Sequence, residues 1–170
     1  MRLWARKAPE PRPGQSRLLV PFTGSGLDPA VLDAAIRIAR AQESVLVPAY
    51  LVVVPREFAL EAPLHREAER AMPLLEAVEH AALRAGIPVD ARIERGRTPI
   101  DALNRLWEAE SFDRILVPAR APGHPGFGPK DLGWMLERAP SETLVLRPTP
   151  VDGDARPTRR AGAGRRGAGA

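Results

Sequence analysis

Cysteine is absent from the 170 residues of the chain. Disulfides, thiolate zinc sites and cysteine nucleophiles are thereby excluded, and a reducing compartment is permitted. No apolar run approaches the roughly 20 residues that a membrane-spanning helix needs. The opening Met1, Arg2, Leu3, Trp4, Ala5, Arg6, Lys7 lacks the apolar stretch of a signal peptide. A soluble, unexported, cytoplasmic protein is the expectation. Side-chain hydroxyls are also missing from one long stretch, since no serine or threonine lies between Ser111 and Ser141.

What is present in excess is positive charge, +4 overall, but it is unevenly placed. Residues 1–17 and 151–170 together carry +7, which leaves −3 on residues 18–150. The body is therefore not a basic nucleic-acid-binding surface, and any affinity for nucleic acid or a membrane surface belongs to the tails. Residues 1–16, with Pro9, Pro11, Pro13 and Gly14, have little apolar surface to offset the entropy of ordering, and are expected to be disordered. Residues 149–170, rich in Arg, Gly and Ala, are expected to form a disordered cationic tether.

Between these ends, short apolar runs alternate with helical patterns. Arg17 to Phe22 reads as a buried strand, followed at once by the turn Thr23-Gly24-Ser25-Gly26. Asp28 and Pro29 suit an N-cap and first helical residue of a helix to Ala41, with Leu32, Ile36 and Ala39 on its apolar face. Val45 to Val54 is a second strand, in which Pro48 would remove a ladder hydrogen bond, so that Ala49 to Val54 is the strand proper. Leu64, Ala68, Ala71, Leu75, Val78 and Ala82 line a long helix ending at Gly86, with Pro73 expected to kink or split it. Val89 to Glu94 reads as a third strand. Thr98, Pro99 and Asp101 resemble a capping-box start for a helix burying Leu103, Leu106 and Trp107. Ile115 to Val117, Asp131 to Arg138 and Thr143 to Leu146 supply a strand, a helix and a last strand. The order predicts one α/β domain over residues 17–148, a five-stranded parallel doubly wound sheet with helices on both faces.

In such a sheet, ligands bind beyond the carboxyl ends of the strands where the strand order reverses. If the first and fourth strands are neighbours, the Thr23–Gly26 turn faces the loop from Ala119 to Lys130 across that crevice. Glycines there would let backbone N–H groups reach phosphate oxygens. The bland alternative is a pair of tight turns. Thr23, Gly24, Ser25, Arg120, Gly123, Gly126, Gly128 and Lys130 are the candidate ligand-binding residues, with Arg120, His124 and Lys130 able to attract an anion by charge. Other chemistry is not expected. His65, His80 and His124 lack metal-ligand spacing, Glu69, Glu76 and Glu79 read as the wet face of a helix, and Ser25 lacks the Gly-x-Ser-x-Gly spacing of a nucleophile elbow.

The opening Arg-Leu-Leu-Val-Pro-Phe-Thr-Gly-Ser, the middle Glu-Arg-Gly-Arg-Thr-Pro-Ile-Asp-Ala and the closing Ala-Pro-Ser-Glu-Thr-Leu-Val-Leu-Arg resemble a universal stress protein over residues 17–148. The resemblance implies a Rossmann-like, adenine nucleotide alpha hydrolase-like fold. It also implies a homodimer formed through the last strand, Thr143, Leu144, Val145 and Leu146, whose edge would otherwise expose unpaired backbone groups. ATP-binding members carry an acidic residue after the first strand, then a Gly-x-x-Gly loop and a later Gly followed by Ser or Thr. Here Thr23 takes the acidic position. By counting along the chain, the loop glycines fall at Ala119 and Pro122, and the later pair at Pro129 and Lys130. A Gly-x-x-Gly survives at Gly123 and Gly126, but Gly133 follows too soon and is succeeded by Trp134. The expectation is a non-enzymatic stress-response module with a degenerate nucleotide motif and no cofactor, working as a dimer on an unknown protein partner. An ATP- or nucleotide-binding sensor with a rebuilt phosphate loop is the alternative.

Overall fold

The computed structural model of the protein describes residues 10–63 and 65–149. Along them run β1 (Arg17–Phe22), α1 (Pro29–Ala41), β2 (Val45–Val53), α2 (His65–Arg84), β3 (Arg92–Gly96), α3 (Pro99–Ala109), β4 (Arg114–Pro118), α4 (Pro129–Arg138) and β5 (Glu142–Leu146). The five strands are parallel, in the order β3-β2-β1-β4-β5. The chain winds outward from β1 to β3, then returns to β4 on β1's other side, so the β1–β4 boundary is the switch point. Leu64 and most of the two terminal segments lie outside the described residues. Of the N-terminal segment, Arg12 to Gln15 form a turn, Gln15 donates to the Glu43 carbonyl at 2.6 Å, and Ser16 accepts from Val45 N–H at 2.7 Å.

Successive strand residues point to opposite faces, and the core divides accordingly. Leu19, Val47, Ile115 and Val117 meet Leu103 and Leu106 of α3 and Met135 of α4. On the other face Leu18, Val20, Leu46 and Leu116 meet α1 and the C-terminal half of α2. Each fully buried leucine contributes about 1.5–3 kcal/mol. A smaller cluster of Phe22, Tyr50, Val52, Ala71 and Leu75 closes the carboxyl end of the sheet, with the Phe22 and Tyr50 rings edge to face at 5.6 Å.

Several element details depart from the sequence reading. The stripe that α1 buries is Val31, Ala34, Ala35 and Ala39, while Leu32 and Ile36 stay half-buried at its flank. Small residues let this helix approach the sheet closely, which a search for large apolar side chains does not register. Ala68 is exposed, and α2 runs through Pro73 as one helix. Pro73 lies on the wet side, where water can satisfy the carbonyl it leaves without a donor.

Pro48 lies inside β2, opposite Val20 of β1. The alternation of the ladder directs residue 48 toward β3, where Leu46 N–H bonds the Pro88 carbonyl and Asp90 N–H bonds Leu46. That ladder is broken between the lone Leu46–Val89 bridge and the regular pairing that starts at Ala49–Arg92. The missing N–H falls in the gap, and β3 consequently begins at Arg92 instead of Val89.

Candidate functional site

Two capping residues aim the loops at the carboxyl end of the sheet. Asp28 Oδ1 accepts from Ala30 N–H at 2.8 Å to start α1, and Thr98 Oγ1 accepts from Asp101 N–H at 3.0 Å to start α3. Asp101 in turn accepts from Arg97 N–H at 2.7 Å, one residue before the cap, so the return bond differs from that of a capping box, which would come from Thr98 N–H. Between the β1 and β4 loops opens a crevice of about 340 Å³. Of the sequence candidates, Thr23, Gly24, Arg120 and Gly126 line it, while Ser25, Gly123, Gly128 and Lys130 do not. Tyr50, Leu51, Val53, Glu67, Pro99, Phe127 and Asp131 also line it, and sequence reasoning missed them all. The usable signal lay in topology, because residues at the carboxyl end of β2 and in the first turns of α2 and α4 must border a crevice at that end.

The β4–α4 loop folds upon itself. Arg120 N–H bonds the Phe127 carbonyl at 2.9 Å, Phe127 N–H bonds Pro118 at 2.8 Å, and His124 N–H bonds Ala121 at 2.9 Å. Ala119 N–H is taken by Leu146 of β5 at 2.8 Å, and Arg120 Nε donates to the Gly126 carbonyl at 3.2 Å. Pro122, Pro125 and Pro129 have no N–H to offer. The two glycines of the Gly-x-x-Gly serve this closure. Gly123 has φ of 75° in the turn from Ala121 to His124, and a Cβ on Gly126 would lie 2.6 Å from the Ala119 carbonyl carbon.

Charge in the crevice is mixed. Glu67 stands in the first turn of α2 and Asp131 in the first turn of α4, so each carboxylate offsets the positive end of its own helix. Arg120 makes no ion pair among the described residues. Tyr50 is buried, and its hydroxyl has no hydrogen-bond partner among the described residues. Burial, reinforced by the negative charge of Glu67, raises its phenol above the ordinary value, with Arg70 partly offsetting and the approach of the Glu67 carboxylate to the hydroxyl, outside ordinary hydrogen-bond geometry, adding a little. The Thr23 hydroxyl is already shared with Ser25, Oγ1 to Oγ 2.9 Å.

His124, expected to attract an anion, instead turns to Asp28, with Nδ1 2.5 Å from Oδ2, and does not line the crevice. Burial raises the Asp28 carboxyl, but the bonds from His124 and Ala30 outweigh it and hold the group below its usual value. No hydrogen bond joins Ser25 to this pair. His65 and His80 sit exposed on α2, and no three metal-ligating side chains cluster among the described residues. Trp134 lies outside the crevice and stacks on Trp107 at 5.6 Å with 6° between the rings. A larger hollow, about 570 Å³, opens at the opposite end of the sheet beside the Arg12–Ser16 segment and the ends of α1 and α2. It lies far from the switch point, and its volume alone gives it no chemistry. Among the described residues, no helix is long and apolar enough to cross a membrane.

A five-stranded parallel sheet of order 3-2-1-4-5 with a crevice at its β1–β4 boundary defines a doubly wound α/β protein. The chain belongs to the universal stress protein family, whose model matches residues 15–128. It is similar to a universal stress family protein from Burkholderia pseudomallei, at 20% identity over 80% of this chain and 98% of that one, with a TM-score of 0.59. A universal stress protein in complex with cAMP aligns at 19% identity over 78% of this chain and 97% of the other, TM-score 0.56. A family protein from Arabidopsis thaliana with AMP bound aligns at 12% identity over 85% and 97%, TM-score 0.56. At these identities the likeness establishes the fold. None of the curated protein sequences compared with the chain matches it.

Proposed function

We propose that this universal stress protein is a cytoplasmic, non-enzymatic regulatory module, a homodimer joined through β5, that acts by contacting another protein and whose family nucleotide crevice no longer receives phosphate. The observation that carries the reading is the self-bonded β4–α4 loop. The N–H groups of Ala119, Arg120, Ala121, His124 and Phe127 are directed to carbonyls of the protein itself, so these five donors are not offered to a phosphate.

The sheet edges support the dimer. On β3, whose odd-numbered residues face outward, Glu94 accepts from Arg95 N–H at 3.0 Å and Arg92 donates to the Ala91 carbonyl at 3.1 Å, so that edge is partly capped from within. On β5 the outward backbone groups of Thr143 and Val145 have no partner among the described residues, and Val145 is 42% exposed.

A second reading, a nucleotide sensor with a rebuilt site, is favoured by the unpartnered Tyr50 hydroxyl and by the relatives bound to cAMP and AMP. Thermal unfolding with millimolar Mg-ATP, AMP and cAMP separates the two. The module reading expects no rise in midpoint, whereas a ligand at 100 times its Kd would stabilise by about 2.7 kcal/mol. A clear rise with any of the three nucleotides overturns the module reading in favour of the sensor.

A further inference from the structure

The side chains that line the crevice are of both signs. Glu67 and Asp131 line it with carboxylates, Arg120 lines it with a guanidinium free of ion pairs among the described residues, and Leu51 and Phe127 give it apolar wall. Among the described residues, Glu67's one ion pair is the surface contact to Arg70 at 3.3 Å, with the Arg70 side chain 69% exposed, a weak and replaceable partner. Tyr50, 1% exposed, stands in the same wall beside Glu67, its hydroxyl making no hydrogen bond of ordinary geometry among the described residues, and Gly24 leaves that hydroxyl room, since a Cβ there would lie 3.0 Å from it. A buried hydroxyl without a partner is a cost that a bound polar group removes.

We propose that the crevice binds a small zwitterion with an apolar body, of the α-amino-acid class. The ammonium group sits between Glu67 and Asp131 with the Tyr50 oxygen as a further acceptor, the carboxylate pairs with Arg120, and the side chain lies against Leu51 and Phe127. A phosphate monoester satisfies only Arg120 and meets two carboxylates of its own sign, whereas an amino acid satisfies both charge types at once. The volume, about 340 Å³, lies at the small end of ligand sites, which suits an amino acid better than a nucleoside triphosphate. The Tyr50 hydroxyl is enclosed, so its engagement requires the Thr23–Gly24 turn to move outward slightly. The inference rests on the reading of the crevice as no longer a phosphate site.

The test is thermal unfolding and titration calorimetry of the full chain with 10 mM L-leucine or L-phenylalanine. The two half-ligands of leucine, isoamylamine and 4-methylpentanoate, serve as controls beside AMP and inorganic phosphate. The intact amino acids should raise the midpoint by about 3 °C or more and each half-ligand by much less. The rise should disappear in Glu67→Gln and in Arg120→Ala. Without ligand, Tyr50→Phe should unfold at the parent's temperature or above it, because it removes a buried hydroxyl with no hydrogen-bond partner among the described residues, and it should gain less with ligand. No rise with either amino acid, an equal rise with one half-ligand, or a rise retained in Glu67→Gln and Arg120→Ala overturns the proposal. A rise with AMP overturns the preceding reading of the crevice and this one with it, whereas failure of the amino acids alone leaves that reading standing.

Discussion

His124 Nδ1 stands 2.5 Å from Asp28 Oδ2, so the residue that caps α1 also anchors the loop after β4, 96 positions away in sequence. The carboxylate is nearly enclosed, at 6% side-chain exposure. The contact therefore holds two separate loops at a fixed spacing across the mouth of the crevice.

Removing that anchor should cost stability with a particular pH signature. Asp28 is held below its ordinary value, so its contribution is present above the usual aspartate range and is lost as pH falls through and below it. His124→Ala leaves the buried carboxylate with only its backbone donors and should lower unfolding free energy by about 1–2 kcal/mol near neutrality. Chemical denaturation at about pH 7 and about pH 3 checks this, and the gap between parent and variant should narrow at the lower pH. An equal gap at both would mean the loss is one of packing.

A second charge cluster fastens the opposite end of the sheet. Arg17 of β1 and Arg92 of β3 both bond Asp90 and Glu110, with Arg92 Nε to Glu110 at 2.6 Å and Arg17 to Glu110 at 2.7 Å. The Arg92 hydrogen bond is the chief cause that holds the Glu110 carboxyl below its ordinary value, against the opposing pull of burial and with Arg17 adding to it. Glu110→Gln should destabilise by about 1–3 kcal/mol at neutral pH. Because the folded value is depressed, the deficit should shrink as pH falls through the ordinary glutamate range, measurable by urea titration over that interval.

The β5 edge offers a substitution that spares the interior of the sheet. Leu146 accepts from Ala119, the residue after β4, and strand alternation then turns the Val145 N–H outward. Val145→Pro removes a donor that the monomer does not use, and edge positions tolerate proline. Light scattering at micromolar concentration should give twice the 18.5 kDa chain mass for the parent and a single chain mass for the variant. A monomeric parent would sink the β5 dimer.

How far the sequence discloses this molecule depends on the range of the interaction. Element order and both helix caps with proline at the first position follow from local patterns, whereas the adjacency of β1 and β4 is a condition that the strand order fulfils. Pro48 misled because its tolerance depends on a gap in a neighbouring strand's ladder, which no window around residue 48 contains. The crevice was legible in position but not in membership. Tyr50 and Glu67 carry no motif and enter it only because β2 ends and α2 begins there, while Gly123 and Gly126, which resemble a phosphate cradle, are needed by the loop's own turns. Trp134, a departure from the family pattern along the chain, is explained by Trp107, which only the packing of α3 beside α4 brings near.

That indole pair has an optical consequence. Of three tryptophans, Trp4 lies outside the described residues, and the other two are stacked with nearly parallel rings on the α3–α4 face. Parallel chromophores at this separation couple electronically, so their near-ultraviolet circular dichroism reports on the seating of α4. Since α4 begins where the self-bonded loop ends, any event that opens that loop has a spectroscopic reporter already built into the chain, without an attached label.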